Sequence, residues 1–353
     1  MRNIDELFVL PTATLRDVLV RSNATRRGIV LAVDSQRRLT GVITDGDIRR
    51  EMLAGTDHDV TVRQLLTNKG DPRPITAPLD ASHAELVEIL RRTAVSHIPL
   101  VNAEGVVERL VAVEDLLIED ELALQAVVMA GGRGTRLHPL TEELPKPMLP
   151  VGDKPLMERI ICQLAETGIR QVNITTHYLA HRITEYFGDG SDFGVNLTYV
   201  PEVELLGTAG GLALMPMPDT PLLVINGDIL TDVDFRAMLA YHRSHGSALT
   251  VAVRSYEVQV PYGVVESDGV RVRRVVEKPT YRYFVNAGIY LIEPGTHQLV
   301  PKNRRFDMTD LIDAALERGL PVVTFPIWEY WRDIGQHTDY AQAQTDVKDG
   351  TIP

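Results

Sequence analysis

The sequence predicts a doubly wound α/β domain with a mainly parallel sheet, preceded by a smaller α+β module made of a duplicated unit. Three observations predict it. From residue 124 onward, apolar strand-like runs alternate with segments of helical period, as in repeated βα units that pack helices on both faces of a sheet. Ahead of that, residues 10–66 and 68–117 run through the same order of segments twice. The chain has 353 residues, 44% hydrophobic and 24% charged, which suits two or three domains, each with a core of its own.

In the duplicated part, each copy opens with an extended segment and a helix-like one, at 14–20 and at 81–91. An apolar strand, a turn, a second strand and a short helix follow. Ile29-Val30-Leu31-Ala32-Val33-Asp34 aligns with His97-Ile98-Pro99-Leu100-Val101-Asn102, and 39–48 aligns with 107–116. Two such units are expected to cover each other's apolar faces. The acidic stretch 114–121 leads out, which sets the domains at 1–122 and 123–353.

In the second part, 124–130 reads as a strand ending in glycines. Residues 156–168 carry Ile160, Ile161, Leu164 and Ala165 at helical spacing and stop at Gly168. Strands are expected at 171–175, 197–200, 222–226 and 248–253, and helices at 182–187, 209–214 and 235–244. Residues 264–276 read as a hairpin with Asp268-Gly269 at its tip. In open α/β sheets ligands bind beyond the carboxyl ends of the strands, and the informative residues fall there.

Charge and composition narrow the function. The formal net charge is −12, with 15 basic against 20 acidic residues in 1–123, so neither part offers a basic nucleic-acid surface. Cys162 is the single cysteine, which excludes an intrachain disulfide and a thiolate zinc site. No apolar run approaches the ~18–20 residues of a membrane span, and the start lacks a signal peptide. The expectation is a soluble cytoplasmic protein that handles small molecules, with neither nucleic acid nor membrane as partner.

The sharpest chemical signal is Met129-Ala130-Gly131-Gly132-Arg133-Gly134-Thr135-Arg136-Leu137, then Leu144-Pro145-Lys146-Pro147. A strand feeds a glycine-rich turn, whose backbone N–H groups can approach an anion closely. Arginine makes bidentate contacts with phosphate oxygens, and lysine adds a compact charge. The pattern is neither a Walker A loop nor a dinucleotide fingerprint. Asp228 ends an apolar strand and is placed to serve Mg²⁺, which takes one or two carboxylates plus phosphate oxygens. His177 and His181 lie four apart without the glutamate of a zinc-helix motif. Tyr290 continues a strand and belongs to the core.

This chain resembles the sugar-1-phosphate nucleotidyltransferases. Gly-Gly-x-Gly-Thr-Arg-Leu and Pro-Lys-Pro carry the resemblance. It continues through Leu206-Gly207-Thr208-Ala209-Gly210, Asn226-Gly227-Asp228, Val276-Glu277-Lys278-Pro279, Asn286-Ala287-Gly288-Ile289-Tyr290 and Trp331-Arg332-Asp333-Ile334-Gly335. It spans roughly 124–345, in the family's order, and implies a Rossmann-like nucleotidyltransferase fold. The duplicated segment resembles a CBS pair, a regulatory module that often binds adenine nucleotides. The combination resembles bacterial CBS-fused guanylyltransferases that activate aminosugar or heptose phosphates.

The resemblance implies a set of roles. Arg136 would grip the leaving pyrophosphate, and Lys146 would hold phosphates near the reacting phosphorus. Met129, Gly131, Gly132, Gly134, Thr135, Gly207 and Thr208 would bind the nucleotide. Glu277, Asn286 and Gly288 would line the sugar pocket, with Lys278 on its phosphate. Asp333 would join Asp228 on Mg²⁺. In the first CBS copy, Thr44 and Asp47 would meet phosphate and ribose. The second copy keeps Asp115 but has Arg109 and Ala112 in place of the glycine and threonine.

The expected partners are a nucleoside triphosphate, a sugar 1-phosphate, an adenine nucleotide at the CBS pair, and further copies of the chain. GTP is favoured because two glutamines typical of pyrimidine-transferring relatives are absent. A uridylyl- or thymidylyltransferase is the alternative within the family. A catalytically silent nucleotide sensor and a scaffold built on the CBS pair are the alternatives outside it.

Overall fold

A computed structural model describes residues 4–25, 27–69, 73–93, 95–113 and 122–352, and the chain divides into two units, Met1–Glu121 and Leu122–Pro353. In the first unit the repeated sequence becomes repeated structure. One copy runs β1 (Phe8–Val9), α1 (Leu15–Thr25), β2 (Ile29–Val33), β3 (Leu39–Thr44) and α2 (Asp45–Leu53). After α3 (Val62–Asn68), the other runs β4 (Ala77–Pro78), α4 (His83–Thr93), β5 (His97–Val101) and β6 (Val107–Ala112). Each forms a three-stranded sheet with one parallel and one antiparallel pair. The register shifts at Ala32/Val33 in one copy and at Leu100/Val101 in the other.

The copies meet directly. Leu39 N–H donates to Gly105 O at 3.0 Å. Val107 of the second copy is fully buried among Leu7, Ile29, Leu31 and Val33 of the first. That shared cluster is the mutual covering expected of the duplication. The short helix expected after β6, with Asp115, lies outside the described residues.

The second unit begins with β7 (Gln125–Met129), β8 (Pro150–Val151), β9 (Lys154–Pro155), α5 (Leu156–Thr167), β10 (Gln171–Thr176) and α6 (Ala180–Phe187). Gly168 ends α5 in the left-handed region at φ 94°, as expected. Next come β11 (Asn196–Pro201), α7 (Gly207–Gly210), β12 (Leu222–Asn226), β13 (Ile229–Thr231), α8 (Phe235–Ser244) and β14 (Leu249–Gln259). The rest is β15 (Val264–Asp268), β16 (Arg271–Val276), β17 (Thr280–Ile292), α9 (Pro294–His297), α10 (Met308–Glu317), β18 (Val322–Ile327), β19 (Trp331–Asp333) and α11 (His337–Lys348).

Seven strands make the main sheet, in the order β11-β10-β7-β12-β17-β14-β18. Neighbours are parallel except around β17, which runs against both β12 and β14. The sheet is therefore mainly parallel, and both faces are covered. Ala126 and Val128 of β7 join one core cluster with α5 and α8, while Val127 joins another with Met308 and Leu311 of α10. Tyr290 is buried in the second cluster.

Some elements exceed the sequence reading. β14 was expected to end at 253 and continues to Gln259, paired with Thr280–Val285 in a two-stranded arm. The arm residues are largely exposed, although Tyr256 and Val258 alternate with Glu257 and Gln259 at strand period. β18 contains Pro326, which fits its place at the sheet edge. No helix among the described residues is long and apolar enough to cross a membrane.

Candidate active site

The site is built where adjacent parallel strands end. Asn226, the last residue of β12, lies opposite Met129, the last of β7. Gly227 N–H donates to Met129 O at 2.9 Å, which joins the Asn-Gly-Asp turn to the start of the glycine loop. Beyond Asp228 the chain enters β13, which pairs with β19 so that Ile229 faces Asp333. Ile334 N–H closes the pair on Asp228 O at 3.0 Å. Trp331 Nε1 donates to Ala287 O at 2.8 Å and anchors β19 to β17.

Four charged side chains converge there. Lys146 sits on a short 3-10 turn and is buried; its Nζ lies 2.5 Å from Asp228 Oδ2 and 3.9 Å from Asp333 Oδ1. Arg136 is exposed on the neighbouring turn. A Cβ built on Gly335 would lie 3.7 Å from Asp333 Oδ2 and 3.8 Å from an Arg136 terminal nitrogen, so these two flank one glycine. Although half its side chain is exposed, Asp333 is held above the usual carboxylate range. Burial of the carboxyl and the nearby Asp228 push it up, against the pull of Lys146 and Arg136.

The glycine loop packs tightly on this cluster. Gly134 has φ 61°, and a Cβ there would stand 3.0 Å from Lys146 Cβ and 3.1 Å from Thr141. Only glycine suits that conformation and that approach. Thr141 Oγ1 donates to Gly134 O at 2.9 Å, and Tyr178 Oη donates to Thr141 O at 3.1 Å. Gly131 is buried, while Gly132 and Thr135 are exposed.

Glu202 is a feature the sequence reading missed. It is buried, its Oε2 accepts from Leu206 N–H at 3.1 Å, and its Oε1 lies between two backbones. A Cβ on Gly131 would come within 3.2 Å of that oxygen, and one on Gly211 within 3.0 Å. His177, whose Nδ1 is 2.8 Å from Glu202 O, supports the same corner. The signal available in the sequence is an acidic residue five positions before Gly207, two residues beyond the strand expected at 197–200.

Other expected site residues are placed as follows. Gly207 has φ 84°, and a Cβ there would meet Asp307 Oδ1 at 2.5 Å. Thr208 N–H donates to that same oxygen at 2.9 Å, and Thr208 Oγ1 accepts from Met308 N–H at 2.9 Å. The polar groups of Thr208 therefore lock the loop to the start of α10. Gly288 is buried beside Asn226, and its N–H donates to Asn286 Oδ1 at 3.0 Å. Glu277, Lys278 and Asn286 are exposed.

In the N-terminal unit, Thr44 and Asp47 form the capping box of α2. Asp47 Oδ2 also accepts from Lys69 Nζ at 2.7 Å, at the wall of a cavity of about 310 Å³. Burial disfavours the charge on Asp47, but bonds from Lys69 and Thr44 outweigh it and hold the carboxyl below the usual range.

Fold and site together define an α/β protein in which a glycine-rich loop packs beside a buried lysine that faces two carboxylates. The chain belongs to the nucleotidyl transferase family, whose profile matches residues 125–350. CBS domain profiles match residues 1–54 and 62–120. Among curated proteins, the chain is 32% identical over 256 residues to a UTP–glucose-1-phosphate uridylyltransferase of Synechocystis sp. It is 33% identical over 239 residues to a mannose-1-phosphate guanylyltransferase of Mycobacterium tuberculosis. Each match covers 65% of this chain and 66% of the relative, just under two thirds of the relative's length.

Among solved structures, a Bacillus anthracis protein assigned as a glucose-1-phosphate thymidylyltransferase is 26% identical with a TM-score of 0.54. It covers 65% of this chain and 97% of its own. HddC from Yersinia pseudotuberculosis is 25% identical with a TM-score of 0.51, covering 63% and 99%.

Proposed function

We propose that the chain transfers GMP from GTP to a sugar 1-phosphate of hexosamine, mannose or heptose type, releasing pyrophosphate. The observation that carries this reading is Lys146, buried between Asp228 and Asp333 with Arg136 alongside, at the carboxyl ends of β7 and β12. Two polyanions must meet in such a reaction, and their repulsion is the first barrier. Lys146 and Arg136 supply fixed positive charge for it. A sugar phosphate oxygen forms the bond to the α-phosphorus, the α–β P–O bond breaks, and pyrophosphate leaves with the electron pair. The attacking oxygen is already ionised, so the residues need to orient and neutralise rather than remove a proton.

The donor set fits Mg²⁺. Asp228 and Asp333 both lie within reach of one lysine, and magnesium takes one or two carboxylates together with phosphate oxygens. Asp228 and Asp333 would hold the ion, which when bound supplies phosphate charge neutralisation. Lys146 would then exchange Asp228 for a phosphate oxygen.

Glu202 supports guanine. A carboxylate only accepts, and guanine presents adjacent N–H donors, whereas a pyrimidine imide presents one donor between two carbonyls. The Mycobacterium tuberculosis relative is named for mannose 1-phosphate and guanylyl transfer, which agrees. The Synechocystis relative favours UTP as the second reading. For the N-terminal pair we propose a regulatory adenine nucleotide, tested by titrating AMP, ADP and ATP. The deciding experiment for the activity is a pyrophosphate-release matrix of nucleoside triphosphates against sugar 1-phosphates. Highest kcat/KM with GTP supports the assignment, a UTP maximum transfers it to the second reading, and silence across the matrix removes the activity.

A further inference from the structure

One apolar cluster draws a residue from each of the four segments that carry the charged side chains of the site. It contains Leu137, Leu149, Leu230 and Ile334. Leu137 directly follows Arg136, and Ile334 directly follows Asp333; Leu149 comes three residues after Lys146, and Leu230 two after Asp228. Ala343 of α11 is fully buried in the same cluster, with Tyr340 and Val347 packed against it. Close-packed groups of this kind transmit displacement rather than absorb it.

Helix α11 also bonds to two of these segments. Tyr340 Oη and Gln344 Nε2 each donate to Pro150 O at 2.6 Å, four residues past Lys146. On the other side, Asp346 Oδ2 accepts from Tyr330 Oη at 2.5 Å and from Arg332 Nε at 3.2 Å. Arg332 precedes Asp333 in β19, so strand alternation turns its side chain away from the face that carries Asp333. The helix thus grips the Lys146 segment with one set of side chains and the Asp333 strand with another.

We propose that α11 is the positioning element of the cleft and that Asp346 is a positioning residue that acts through Asp333. By tying β19 to the helix that holds Pro150, it sets the 3.9 Å spacing of Lys146 and Asp333. Its catalytic consequence rests on the transferase reading above; its geometric consequence does not.

The test is a double-mutant cycle with a crystal structure. Asp346→Asn in the full chain should lower kcat about 10–100-fold, the usual effect of losing a partner that orients a ligand-bearing group. In the Asp333→Asn background the same change should have almost no further effect, because it acts through the residue already removed. The crystal structure of Asp346→Asn should keep the strand order while the Lys146–Asp333 spacing lengthens. Gln342→Ala, which removes only an exposed bond to Asp346 Oδ1, should behave as the wild type.

If Asp346→Asn does not fold, Tyr330→Phe removes the bridging hydroxyl alone and is read in the same cycle. Multiplicative losses in the Asp333→Asn background, or an unchanged spacing with wild-type kcat, overturn the proposal. A wild-type chain that releases no pyrophosphate overturns the transferase reading instead, and the crystallographic spacing then decides the positioning claim alone.

Discussion

Lys146 and Asp228 are 82 positions apart in the chain, and their charged atoms are 2.5 Å apart. The contact exists because β7 and β12 are parallel neighbours, so the chain segments that leave their carboxyl ends must meet. Lys146 is also within 3.9 Å of Asp333, and one buried ammonium therefore serves two carboxylates. The expected consequences can each be measured.

Replacing Lys146 or Arg136 with alanine should cut turnover by about 10²–10³, or ~3–4 kcal/mol, as for other fixed groups aimed at developing charge. Steady-state pyrophosphate release with saturating substrates checks this. Near-wild-type turnover in either variant would remove that residue from the mechanism.

EDTA should abolish activity, and Mg²⁺ should restore it. Asp228→Asn and Asp333→Asn should each raise the Mg²⁺ concentration needed for half-maximal rate, since each exchanges a charged ligand for a neutral one. A variant whose Mg²⁺ titration overlays the wild type does not carry a ligand.

Glu202→Gln should lower kcat/KM for GTP by about 10–100-fold while leaving UTP turnover unchanged or higher. The amide places a donor against a guanine donor, and an unpaired buried group is costly. Parallel GTP and UTP kinetics on the variant check it; equal losses with both bases would mean that Glu202 only holds the loop at Leu206.

Asp47→Asn should destabilise the N-terminal unit at neutral pH by ~1 kcal/mol, the scale of a partly exposed ion pair. The folded carboxyl of Asp47 sits below its unfolded value of ~3.9, so its contribution is complete at higher pH. It is lost as pH falls through the folded value. Calorimetry should therefore show the wild-type advantage at pH 7 and its disappearance in strong acid. An advantage that persists in acid would assign it to something other than this carboxylate.

A chain starting at Leu122 should fold and retain turnover, because the second unit contains its own sheet and its own core clusters. Circular dichroism and the pyrophosphate assay check this. An insoluble fragment would show that the units depend on each other to fold.

Several features were legible in the sequence because they are local. The α8 limits 235 and 244, the stop of α5 at Gly168 and the hairpin around Asp268-Gly269 follow from apolar period and turn chemistry. The duplication was legible for the same reason, as β3 and β6 stand at aligned positions. Arg136, Lys146, Asp228 and Asp333 were each identifiable from short motifs, without any distance between them.

The tertiary structure alone decided what those motifs do to one another. The reversal of β17 and the arm it forms with β14 depend on pairing across sequence; the alternation Tyr256-Glu257-Val258-Gln259 is a strand signal that does not name its partner. Glu202 carries no motif of its own; it becomes notable only where Gly131 and Gly211 close around its carboxylate. The shared lysine, the raised Asp333 and the grip of α11 on β19 likewise arise from groups brought together by sheet order. Local sequence determines backbone preference and side-chain chemistry within a few residues. Distances between charges are set by strand neighbours far apart in the chain, and those distances decide the electrostatics.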